Sequence, residues 1–319
     1  MLTYEVLKES PKWLRAFTSL DAAEFEALLP AFDQVWQAYQ REEERKRGKA
    51  YRRKSGGGRK VRLKRSEDKL VFILVYVKVY PLQEVQGQMF DLSQGQANVW
   101  IHILMPLLKA ALGRKKQLPE REVHHLAETL AGSDGLDFII DGTERRRQRP
   151  KNPLKQKEYY SSKKKAHTVK NNVIANADTQ HVAYLSQTVP GKTHDKKLCD
   201  QEQYTFPALS LLEKDTGFQG YEPQGVITYQ PRKKPKVGEL SQGERFVNTV
   251  ISSVRIVVEH VLAGIKRCRI VKDIFRNSKK NFDDLAMEIA CGLHNFRNSF
   301  RHPVPMISLI EMASESYFQ

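Results

Sequence analysis

The chain has 319 residues, 40% of them hydrophobic, enough to bury the core of one large domain or two moderate ones. Its 53 Lys and Arg against 37 Asp and Glu leave a formal charge of +16, which favours polyanionic partners such as nucleic acid. No window holds the roughly 18 apolar residues needed to span a bilayer, the first residues lack a secretory signal, and Cys199, Cys268 and Cys291 are too scattered for a disulfide framework or a cysteine zinc site. A soluble, cytoplasmic protein that binds nucleic acid and no membrane is expected.

The charge is concentrated. Arg41 to Arg65 holds 13 basic and 3 acidic residues, and Asp141 to Lys170 holds 11 basic and 3 acidic. One such run is commonly a solvated face, but two that flank apolar segments suggest a surface that tracks phosphates.

Residues 3–40 read as helices, with Phe25, Leu28, Leu29, Phe32, Val35, Trp36 and Tyr39 close to a 3.6 period. Ser19 or Asp21 is a candidate N-cap, and Pro30 a candidate kink. The basic arm 41–65 follows, with the glycine run Ser55-Gly-Gly-Gly58 at a turn. Ser66 is then expected to cap a helix carrying Leu70 to Tyr80, and Pro81 to open a short second one. Asp91-Leu-Ser93 reads as a turn, and Ser93 caps a third helix reaching Gly113. This is the helix-turn-helix pattern, placed at 66–113, and the polar start of its last helix (Gln94, Gln96, Asn98) offers side chains that read base edges. An ordinary three-helix bundle would use the same periodicities.

From residue 134 the pattern changes to short β-rich runs. Leu136 to Ile140 reads as a buried strand ending at Asp141. His167 to Ala175 and His181 to Gln187 read as two strands joined at Asn176-Ala-Asp178-Thr. Thr193 is expected to cap a short helix starting at His194-Asp195. Leu211-Leu212 lead to Asp215, and Gly225 to Tyr229 is a further strand. Pro231 to Gly238 reads as a loop, followed by helices over Ser241 to Arg269 and Asn281 to Phe300. The fold class is α+β: an all-α region over 1–120, a mixed sheet with flanking helices over 134–302, and a tail over 303–319.

Three acids stand where chemistry could use them. Asp141 and Asp215 each end an apolar segment, and Glu259 lies mid-helix in Arg255-Ile-Val-Val-Glu259. Carboxylates at neighbouring strand ends, faced by one from a helix, can hold two Mg²⁺ or Mn²⁺ ions for phosphodiester chemistry. Asp before Gly is also a common turn signature, and Glu259 could simply pair with Arg255. Arg255, Glu259 and Lys266 fall on one stripe, which would aim two phosphate-binding cations at the same place.

Here the sequence resembles a known family. Ile140-Asp141-Gly-Thr-Glu144, Gln148-Arg-Pro150, Tyr159 to Lys170, Pro190-Gly-Lys-Thr-His-Asp195, Asp215-Thr-Gly-Phe-Gln-Gly220 and Asn248 to Lys266 follow the order seen in DDE transposases of bacterial insertion sequences. The likeness is to the branch related to PIF/Harbinger and the insertion-sequence-five group. The resemblance implies a ribonuclease-H-like domain with Asp141, Asp215 and Glu259 as catalytic metal ligands. It also implies a nucleoid-associated enzyme acting on double-stranded DNA, at the element's terminal repeats and at a target, as a homodimer or higher oligomer. Ser252 and Phe218 stand where relatives often carry Tyr, and neither change removes a ligand. Lys163, Lys164, Lys165, His167 and Lys170 are expected to contact DNA with Arg255 and Lys266. His194 and His260 lie in matching segments, while His124-His125 show no zinc spacing. Asp195 competes with Asp215 for the second aspartate, but an acid in a helix's first turn has reason enough to be there. A catalytically silent DNA-binding relative and a metal-dependent nuclease are the alternatives.

Overall fold

The structure, a computed structural model, describes residues 1–47, 62–231 and 241–301, with side chains except at 47, 216 and 244–255. The glycine run, most of the basic arm 41–65, most of the loop expected over 231–238 and the tail 303–319 lie outside the described residues, and so do the side chains of Ser252 and Arg255. The chain forms two compact units. The first comprises Met1–Leu118, Arg267–Asp273 and Lys279–Arg297; the second comprises Pro119–Lys266, Ile274–Ser278 and the chain from Asn298.

The first unit begins with α1 (Tyr4–Lys8), α2 (Pro11–Thr18) and α3 (Ala22–Arg47). Asp21 is the cap of α3: its carboxylate accepts from the Glu24 amide, and Glu24 accepts from the Asp21 amide in return. Ser19 instead closes α2 at φ 66°, and α3 runs past Pro30. In α4 (Ser66–Val79) every residue from Asp68 to Val77 is buried, as expected of a helix apolar on all sides. Ser66 does not cap α4. It is the first helical residue, and its hydroxyl donates to Asp33 on α3. After α5 (Gln83–Phe90) and a left-handed Asp91, α6 (Gln94–Arg114) opens on a capping box between Ser93 and Gln96.

The second unit follows with α7 (Leu126–Ala131), β1 (Asp137–Arg146), α8 (Pro153–Tyr159), β2 (Tyr160–Ser161), β3 (Ala166–Asn176), β4 (Val182–Leu185), β5 (Val189–Pro190), α9 (Asp195–Glu202), β6 (Leu211–Lys214), β7 (Ile227–Tyr229) and α10 (Gln242–Ile265). The sheet runs β2-β3-β1-β6-β7, with β4 and β5 also on β3. β3 is antiparallel to β1, while β6 and β7 are parallel to it. Two expectations are corrected here. β1 does not end at Asp141, because β3 pairs with it as far as Arg146. Thr193 does not cap α9; His194 holds that position, without a side-chain bond.

One sheet face buries Phe138, Ile140, Ile174 and Leu212 with Leu126, Leu130, Cys199 and Phe218. On the other face Ile139 and Ala177 pack against Val257 and Val258 of α10. The remaining helices, α11 (Arg269–Lys272) and α12 (Phe282–Asn298), belong to the first unit. The helix expected to close the sheet domain thus packs elsewhere, because α12 is buried from Ala286 to Arg297 and needs partners on every side. Glu288 pairs with Lys109 at 2.8 Å, Asn295 donates to the Gln117 carbonyl, and Arg297 donates to Ser19.

Candidate functional site

Alternation along the strands decides where each acid points. Side chains two residues apart share a sheet face, so Asp141 lies on the face of Ile139, where α10 packs, and Gly142 lies on the face of Phe138 and Ile140. Along β6, Leu212 faces the opposite core, which turns Glu213 and Asp215 toward α10 as well. The β1–β6 ladder ends at the pair Ile140–Lys214. Asp141 and Asp215 are the next residue on each strand, about 5 Å apart along the hydrogen-bonding direction. Asp215 has extended backbone (φ −73°, ψ 165°) and leads into a short 3₁₀ turn at Thr216–Phe218.

Burial of Val257 and Val258 against Ile139 fixes α10 across these strand ends and leaves Glu259 exposed beside them. Asp141, Asp215 and Glu259 line one cleft of about 60 Å³ together with Ile139, Glu213, Lys214 and Val258. That volume holds a few water-sized species. Among the described residues, no three His, Cys, Asp or Glu side chains already stand in coordinating positions. Like charges in a cleft repel, and one Asp141 oxygen is engaged by the Gly142 amide at 2.7 Å.

The electrostatics agree with a cation site. The Asp141 carboxyl is pushed up to about 6, first by burial and then by the charges of Asp215 and Asp195, against the Gly142 amide and Lys266. Lys266 is held below the usual lysine range by burial, with Lys164 and Arg145 adding to the effect and Asp141 opposing it. The donors are all carboxylate oxygens, which suit a hard divalent ion such as Mg²⁺ or Mn²⁺. A carboxyl that resists ionising alone ionises readily once a dication stands beside it.

The other expected residues separate by face. Lys266 acts electrostatically on Asp141, and Lys164, in the exposed turn Lys163-Lys164-Lys165, acts on Lys266. Arg255 is one turn before Glu259 on α10. His167 is half-buried, its ring edge-on to Tyr160 at 5.7 Å. Lys170 is different from the expectation of a DNA contact. It is buried, pairs with Asp195 at 2.9 Å and donates to the Thr193 carbonyl, because its register with Glu144 on β1 turns it to the α9 face. His194 and His260 are exposed, and His124 and His125 make a tilted ring contact at 4.1 Å. Gly142 and Gly217 were not singled out from the sequence. A glycine inside a strand marks close backbone approach, yet Asp-Gly reads first as a turn.

On the helix-turn-helix, Gln96 is occupied by the capping box of α6. Gln94 and Asn98 both donate to Gln83 on α5, at 2.6 and 3.1 Å. All three lie in the first turns of α6, Gln94 and Gln96 exposed and Asn98 half-buried, but engaged with their own motif.

Residues 140–295 match the family described as DDE superfamily endonuclease, and residues 61–114 match the helix-turn-helix of DDE superfamily endonuclease. The chain is 26% identical over 234 residues to a probable transposase for insertion sequence element IS702 from Microchaete diplosiphon, across 72% of this chain and 80% of that protein. No solved structure matches it.

Proposed function

With its sheet domain and its helix-turn-helix both matched, the chain belongs to the DDE superfamily of endonucleases, and we propose that it is a transposase of an insertion element. It binds the element's ends, cuts there and joins the released 3′ end to target DNA. The observation that carries this reading is the register. Asp141, within β1, and Asp215, just after the parallel neighbour β6, each lie one residue past the Ile140–Lys214 pair, in the cleft that Glu259 also lines.

Asp141, Asp215 and Glu259 are the residues that would hold Mg²⁺ or Mn²⁺, two ions in all. Bound divalent ions supply activation of the attacking oxygen and charge stabilisation of the leaving one. Lys266 on the same side, with Lys163 to Lys165 and Arg255, binds the phosphates that flank the scissile bond. Water serves as the first nucleophile, and its attack leaves a 5′-phosphate and a free 3′-OH; that 3′-OH is the second nucleophile, forming one phosphodiester bond as it breaks another in the target, so no protein–DNA bond is needed. The helix-turn-helix and the basic arm supply most end-binding affinity, since phosphate neutralisation dominates such binding. Two copies, one at each element end, would bring both cuts together.

The test uses full-length chain with a labelled duplex carrying the inverted repeats that flank its gene. Mg²⁺-dependent cleavage by the native chain, and none by Asp141→Asn or Asp215→Asn at undiminished DNA binding, is expected. Cleavage by either variant at the native rate would remove that residue from the site.

A further inference from the structure

Behind the carboxylate cleft, on the opposite face of the sheet, a second charged pair is built against the same two strand ends. Asp195 opens α9, and α9 is anchored by Leu198 and Cys199, both buried. One Asp195 oxygen is ion-paired with Lys170 Nζ at 2.9 Å, and that ammonium also donates to the Thr193 carbonyl at 3.0 Å. Lys170 is buried and Asp195 half-buried, so the pair is partly shielded from water.

The two oxygens of Asp195 reach the two backbones that carry the metal-site aspartates. A methyl group added at Gly142 would collide with Oδ1, and one at Gly217 would sit 2.8 Å from Oδ2. Glycine is therefore required next to Asp141 and two residues after Asp215 for the carboxylate to lie where it does. Since Gly142 and Asp141 point to opposite faces, Asp195 touches the strand from the side away from Glu259. It buttresses the site and does not line it.

We propose that Asp195, held by Lys170, is a positioning residue: it fixes the spacing of the Asp141-Gly142 and Asp215-Thr-Gly217 backbones and so of the two metal-binding carboxylates. This inference rests on the reading of Asp141 and Asp215 as metal ligands. The ion pair ties β3 and the loop before α9 to β1 and β6 where those two strands no longer pair with each other, beyond Ile140 and Lys214. Groups that orient metal ligands in this way commonly change metal affinity or activity by about 10–100-fold when removed.

The experiment measures Mn²⁺ affinity of the DNA-free full-length chain by electron paramagnetic resonance, beside single-turnover cleavage and thermal melting. The variants are Asp195→Asn, Lys170→Met, their double, and Gly217→Ala. Lost positioning predicts weaker Mn²⁺ binding, about 10–100-fold, in each single variant, with the double no worse than either single because the pair acts as a unit. A through-space charge effect would move the singles in opposite directions, since removing Lys170 leaves more negative charge near the ion. Tighter Mn²⁺ binding in Lys170→Met would therefore overturn the proposal. So would an Asp195→Asn chain as inert as Asp141→Asn while Lys170→Met cleaves normally, which would make Asp195 a ligand. Melting at the native temperature with unchanged affinity and cleavage in all four would overturn it too. If Asp141→Asn itself keeps native Mn²⁺ affinity and cleavage, the metal-site reading has failed instead.

Discussion

At the sheet, Asp141 and Asp215 are carried past the last hydrogen-bonded pair of two parallel strands into a cleft where their neighbours leave them exposed to any entering cation. At the start of α6, the exposed Gln94 and Gln96 and the half-buried Asn98 are polar too, yet each is bonded to its own motif. The first arrangement buries a carboxyl and sets like charges beside it, which is unfavourable until a ligand arrives, as the Asp141 carboxyl, raised first by burial and then by Asp215 and Asp195, attests. The second satisfies its own hydrogen bonds and must exchange them to read DNA. Functional groups held against their own stability point to a ligand more strongly than polar groups that are merely accessible.

The sharpest way to break this comparison is to remove a carboxylate. Glu259→Gln keeps the shape and deletes a charge proposed to bind metal. Several kcal/mol of charge stabilisation are at stake, so strand cleavage in a gel assay should fall by at least about a thousandfold, with DNA affinity nearly unchanged. Next in size is the division of the chain. A fragment spanning 120–319 keeps the sheet but strips α12 of Lys109, Gln117 and the other residues it packs against. It should aggregate or melt without cooperativity in circular dichroism, whereas a fragment as stable as the full chain would contradict the packing described.

The raised Asp141 carboxyl gives a third prediction, with a definite sign. A group whose pKa is higher folded than unfolded lends stability below its unfolded value, here near 4, and loses it as pH rises through about 6. Metal-free protein should therefore weaken between about pH 4 and 6, and Asp141→Asn should be more stable than native at pH 7.5 by about 2–3 kcal/mol. Urea titrations should show no such gap at pH 4, and Mg²⁺ should narrow it at pH 7.5 by binding the native site alone. Equal stability of the two at pH 7.5 in chelator would show that the carboxyl is not strained. The smallest effect concerns α6. Gln96→Ala should cost about 1 kcal/mol of stability through the lost capping box and leave base preference as it was. An altered preference in a binding-site selection would show that Gln96 exchanges its cap for a base.

Much of the site was legible because strand residues alternate. Leu136 to Ile140 and Leu211-Leu212 announce buried strands, and Asp141 and Asp215 each stand one residue past the last pair those two strands share, Ile140–Lys214. The helices of the first unit were legible from period and caps, although Ser66 gave its hydroxyl to Asp33 and left α4 without a side-chain cap. Other features depend on distant partners. The run Arg145-Arg-Arg147 hides the continuation of β1, which β3 imposes by pairing with it. Lys170 looked like one more cation of a basic surface until its register turned it inward to Asp195. The amphipathic pattern of α12 could not say which unit it serves, because an apolar face names no partner.

The claim that three carboxylates form one metal site is tested most directly by the ion itself. Crystals of the full-length chain grown with Mn²⁺ should show anomalous density in the cleft between Asp141 and Asp215, with oxygens of those residues and of Glu259 at about the 2.0–2.2 Å typical of small divalent ions. An ion bound instead by Asp195 on the opposite face, with Asp215 turned away, would contradict the account.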